Sequence, residues 1–104
     1  MDAQELLKQK LSQLWLDKRP LLMERIDVIQ TALNTSKNLT TKQQEAARSA
    51  AHNLAGVLGT FGLKEGTEIA RQFEAAFTEN PVSIGPEHQT QIDKLRNLIE
   101  SHQP

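Results

Sequence analysis

An all-helical domain is what this chain predicts, on three observations. Leu, Ala, Gln, Glu, Lys, Arg and Met supply 57 of its 104 residues, and these types lose little conformational freedom in a helix. Val, Ile and Thr supply only 17 and Tyr is absent, too few β-branched and aromatic residues for a sheet. Apolar residues also recur at intervals of three and four along most of the chain, the period of an amphipathic helix.

The elements follow in order. A first helix is expected over 2–16: Asp2 with Glu5 three residues on has capping-box spacing, and Leu7, Leu11 and Leu14 follow at helical intervals, closed by Trp15 and Leu16. A second is expected over 18–34, starting where Pro20 interrupts the pattern, because proline is tolerated in a first turn. Its stripe is Leu22, Ile26, Ile29 and Leu33. The polar run Asn34 to Asn38 reads as a loop.

A third helix is expected over 40–61. Thr40 and Thr41 each have a Gln three residues later. Ala47, Ala50, Leu54, Val57, Leu58 and Phe61 make its stripe, and Gly62 stands where a left-handed terminating residue is wanted. A fourth, over 64–78, carries Ile69, Ala70, Phe73, Ala76 and Phe77. Asn80 to Pro86 breaks the chain, and a fifth helix over 86–102 turns Ile92, Leu95, Leu98 and Ile99 inward. Short connections favour antiparallel neighbours. The expected architecture is a single domain over 1–104. Helices two to five form an up-down-up-down four-helix bundle. The additional N-terminal helix closes one end as a lid or serves as a dimer contact.

Composition also narrows function. There is no cysteine, hence no thiol nucleophile, thiolate metal site or disulfide. Twelve basic and 13 acidic residues are well mixed, for a formal charge of −1. That argues against nucleic acid or an anionic membrane as partner. No apolar run suits a membrane span or secretory signal, so a cytoplasmic location is expected. Glycine-rich phosphate loops and a nucleophile elbow are missing, which argues against a self-contained enzyme. His88 and His102 lie about 21 Å apart on one predicted helix. They cannot share a metal, so they are expected to be solvated surface residues and no metal site is expected.

His52 differs in its surroundings. It points about 200° away from Leu54 around the third helix, and Arg48, Ala55, Gly56 and Gly59 share its face. Two glycines inside a helix cost roughly 1 kcal/mol each against alanine. They either permit tight helix packing within the domain or let a second protein approach the imidazole. Glu74 lies as far beyond the turn at Gly62 as His52 lies before it, within two residues. In an antiparallel pair the two should meet. A carboxylate at Nδ1 would fix the tautomer and leave Nε2 as the nucleophile.

The run Ala51 to Leu63, AHNLAGVLGTFGL, resembles the signature of histidine phosphotransfer (HPt) domains. That pattern is a His, an aliphatic residue two on, and glycines four and ten on. His52, Leu54, Gly56 and Gly62 stand at those positions. The family's Glu or Gln 22 residues after the His is matched by Glu74. GTFGL resembles chemotaxis kinase domains; the rest resembles modules of multi-domain response regulators. The resemblance implies His52 as phosphoacceptor, Glu74 as the residue orienting its imidazole, and partners in a histidine kinase and a response-regulator receiver domain. It implies no cofactor on this chain, the Mg²⁺ coming with the receiver. Asn53, Gly56 and Gly59, with Arg48, are expected at the docking face. Two positions depart from the pattern. Ala55 replaces a common lysine beside the phosphoryl group, and Val57 replaces a small residue. Arg48 or Arg71 could supply the missing charge. The rival reading is a helical interaction or dimerisation module without phosphoryl chemistry.

Overall fold

The computed structural model describes residues 2–103. It contains four α-helices and no strand among those residues: α1 (Ala3–Asn34), α2 (Thr41–Thr60), α3 (Lys64–Thr78) and α4 (Glu87–Ser101), with a 3₁₀ turn at Ser36–Asn38. The chain is all-helical as its composition requires. α2 packs on α1 and α3, and α4 packs on α1 and α3, which closes a four-membered bundle.

The expected break between the first two segments is absent. Residues 3–34 form one helix with Pro20 inside it. At 1.5 Å per residue this helix is about 48 Å long, nearly the 54 Å longest dimension of the molecule. Proline removes one backbone hydrogen bond and crowds the preceding turn, at about 3 kcal/mol. Trp15 on one side of it and Leu22, Ile26 and Ile29 on the other are all buried on the same face. Each such side chain contributes about 1.5–3 kcal/mol on burial, so packing outweighs the local preference. Pro20 itself is exposed, which leaves water to satisfy the carbonyl it cannot bond. The N-terminal helix is therefore an extension of α1, not a separate lid. Trp15 closes the end of the core, edge-on to Phe61 at 5.1 Å and to His102 at 4.6 Å between ring centroids.

Helix ends follow the local chemistry. Asp2 accepts from the Glu5 amide. Thr40 and Gln43 form a reciprocal capping box. α2 ends in a Schellman motif: the Leu63 amide donates to the Leu58 carbonyl, the Gly62 amide donates to Gly59, and Gly62 has φ +76°. The far end of α3 is capped from the neighbouring helix, the Gln44 side-chain Nε2 donating to the carbonyls of Phe77 and Glu79.

The core is apolar throughout, with Phe73, Phe77, Leu54, Leu58, Ile92, Leu95 and Ile99 at its centre and alanines along α2. Those alanines let α2 lie close to α1 and α3. Gly66 does the same on α3: a Cβ there would stand 3.2 Å from Leu58 Cδ1 and 3.4 Å from Leu95 Cδ1. No helix is long and apolar enough to cross a membrane among the described residues.

Because α1 runs unbroken through Pro20, Pro20→Ala should stabilise the domain by about 1–3 kcal/mol in urea unfolding. A boundary at this position would give no gain, since a first-turn proline is nearly neutral.

Candidate functional site

The Gly62 turn fixes the height at which residues of α2 and α3 meet. His52 lies ten residues before it and Glu74 twelve after, and the two side chains face each other across the helix pair. His52 Nδ1 and Glu74 Oε2 are 2.7 Å apart. The imidazole is 67% exposed and the Glu74 side chain only 23%. The acid is thus held at the edge of the bundle while the ring stands in solvent. With Nδ1–H donating to the carboxylate, Nε2 carries the lone pair and points away from the acid.

Gly56 and Gly59 lie on the exposed side of α2 with His52 and Asn53. A Cβ on Gly56 would meet nothing within 4 Å, and one on Gly59 only Thr67 Oγ1 at 3.9 Å. Neither glycine is needed for packing inside this chain. Both leave bare backbone facing solvent beside the imidazole.

Ala55 is placed differently from expectation. It is 2% exposed, inside the core cluster. Its position borders the flank of α2 that α3 covers, and a methyl group there disappears beneath the contact. It lines the floor of the site, not its open face. The two arginines also separate. Arg48 makes a two-pronged contact to Glu45, Nε donating to Oε2 at 3.2 Å and Nη2 to Oε1. That hydrogen bond raises the Arg48 pKa, with the negative field of Glu74 adding to it, and it holds the Glu45 carboxyl below its ordinary range. Arg71 is exposed and makes no ion pair among the described residues. The pairing of His52 with Glu74 sets an antiparallel register in which Arg71, three residues before the acid, stands level with Ala55, three after the His. Glu45 was not singled out in the sequence, although an acid three residues before an arginine is a recognisable helical pair.

The other histidines are not solvated surface residues. His88 Nδ1 accepts from the Gly85 amide at 2.9 Å and its ring lies 5.7 Å from that of Phe73. His102 packs on Trp15. Both stand at ends of α4, where the chain folds back on aromatic rings. Among the described residues no three His, Asp or Glu side chains are grouped as a metal site would need.

Comparison with known proteins places the chain in a family. The family described as "Hpt domain" matches residues 19–102. Protein RcaC of Microchaete diplosiphon is 33% identical over 75 residues, 70% of this chain. The match covers 12% of that much longer relative. No solved structure matches.

The hydrogen bond to Glu74 makes a spectroscopic prediction. Imidazole ¹⁵N shifts of neutral His52 should report the Nδ1–H tautomer in the wild type. In Glu74→Ala the ring should revert to the Nε2–H tautomer that free histidine favours, with far-UV circular dichroism unchanged.

Proposed function

This chain belongs to the Hpt domain family, a family of phosphocarriers in two-component signalling, and on that premise we propose that His52 accepts a phosphoryl group at Nε2 and exchanges it with a receiver-domain aspartate. The observation that carries the proposal is the exposed imidazole with its Nδ1 engaged by a half-buried carboxylate. In the step from a receiver, the Nε2 lone pair attacks phosphorus. The bond between phosphorus and the aspartyl oxygen breaks, and the carboxylate leaves. The Nδ1 proton stays where it is. The ring becomes a phospho-imidazolium, and Glu74 offsets its new positive charge. Transfer in the other direction reverses these events.

Phosphoryl transfer depends on alignment and on charge placed around the equatorial oxygens more than on covalent help. His52 and Glu74 supply the alignment. The receiver brings Mg²⁺, and no cofactor resides on this domain. The charge from this side comes from Arg71, which is unengaged and stands level with Ala55, where the family's lysine would be. Arg48 is held by Glu45 and contributes less. The domain has no kinase activity of its own; a histidine kinase is the ultimate donor. Asn53, Gly56 and Gly59 form the surface that meets the receiver, and their lack of bulk allows its active site to close on Nε2.

Incubation with a ³²P-labelled receiver tests the role of His52. Wild type should take up label and His52→Gln should take up none; equal labelling would end the proposal. Arg71→Ala should slow transfer about tenfold, a loss of about 1.4 kcal/mol in transition-state stabilisation, and Arg48→Ala by less than threefold. The glycine surface gives a second test. Gly56→Leu should leave the fold intact or raise its stability by up to about 1 kcal/mol, because leucine is the better helix former and nothing obstructs it. The same change should reduce the rate of transfer from the receiver at least tenfold. A faster or unchanged rate would remove Gly56 from the docking face.

A further inference from the structure

The first part of α1 lies beyond the bundle. Every residue from Asp2 to Leu11 is exposed, yet the segment is helical from Ala3. Leu7, Leu11 and Leu14 are 58%, 38% and 49% exposed, and their spacing of four and three puts them on one stripe. The stripe continues toward the N-terminus from the face that buries Leu22 and Ile29. On the opposite flank, Ser12, Leu16 and Arg19 border a groove closed by Glu100 and His102, so the chain's own C-terminal end does not cover the leucines. A stretch of ten exposed residues, Asp2 to Leu11, is marginal as a helix in water, and Leu7, Leu11 and Leu14 make an apolar stripe along and just beyond it, with Leu6 exposed off the stripe.

We propose that a second copy of this chain covers the stripe, the two α1 extensions pairing antiparallel about a two-fold axis. The choice of partner and direction rests on charge and register. With Leu11 and Leu14 as the central core positions, an antiparallel pair sets Leu11 of one copy against Leu14 of the other, twice. The next layers set Leu7 against Lys18, whose aliphatic stem can lie over the leucine while its ammonium reaches water. Lys10 and Asp17 then occupy the same flank of each helix, and antiparallel pairing brings Lys10 of each copy beside Asp17 of the other. Parallel pairing would instead set Lys18 against Lys18 within the seam and leave Lys10 and Asp17 without their opposites. The surface is self-complementary in one direction only, the condition for a closed two-fold dimer. His52 lies on α2, away from the extension, and stays open.

The seam is short, only two heptads, so the dimer is weak and concentration-dependent. Sedimentation equilibrium of the full chain over a wide range of concentration should show monomer passing to dimer. Leu11→Glu with Leu14→Glu should abolish the dimer across the range. Lys10→Glu alone and Asp17→Lys alone should each weaken it about tenfold, and the two together should restore it. Circular dichroism and label uptake at His52 report that each variant is folded, and they stand whichever way the dimer result falls. A wild type monomeric at every concentration overturns the proposal. So does a charge swap without rescue, or a Leu11→Glu, Leu14→Glu variant that slows transfer from the receiver under monomeric conditions, since the stripe would then belong to the receiver.

Discussion

The turn at Gly62 is the constraint from which the site descends. Its left-handed backbone, φ +76°, ends α2 and reverses the chain directly into α3. An L-residue with a side chain would be strained there by about 1–2 kcal/mol. With so short a connection, the register of α2 against α3 cannot slide. Residues near-equidistant from the turn face each other, and this is how His52 comes to lie 2.7 Å from Glu74. The alanines of α2 and Gly66 of α3 then set how closely the two helices approach. One side chain can be half-covered and its partner left in solvent only because that spacing is fixed by packing and not by the polar pair itself.

This explains why so much of the site was legible without coordinates. The apolar spacing of Ala47, Leu54 and Leu58 gives the buried face of α2, and the opposite face follows from helical geometry alone. Counting from Gly62 gives the partner of His52. Less of the periphery was legible. Ala55 sits at the border between buried and open faces, where a helical wheel cannot decide; the coverage comes from α3, and only the packed pair shows it. Likewise His88 and His102 look polar in sequence and are partly covered because helix ends fold back on Phe73 and Trp15. Such contacts depend on loop paths that no local pattern encodes.

Pro20 is the instructive miss. Proline weighs about 3 kcal/mol against a helix interior, and a local reading places a boundary there. What decides the matter is Trp15, five residues earlier. Its burial against Phe61 and His102 requires α1 to keep its phase through the proline, so that Trp15 and Leu22 emerge on one face. A segment break would let the phase drift and leave the end of the core open. Tertiary burial therefore overrides a strong local signal, and a helix longer than the bundle needs is the result.

The two exposed glycines on α2 carry the opposite message. Gly56 and Gly59 weaken the helix by roughly 1 kcal/mol each and relieve no crowding within the chain. Gly66, by contrast, is buried where a methyl group would press on two leucines; its absence of a side chain is answered by the fold. An uncompensated cost beside an exposed imidazole has no explanation in stability. Under the proposed transfer it would have one in approach: the phosphorus carried by a receiver's aspartate would have to reach Nε2, and a bulky side chain on that face would hold the receiver off. The part of α2 that packs in the bundle and the part left open beside the imidazole thus lie on opposite faces of one helix, and the glycines mark the second.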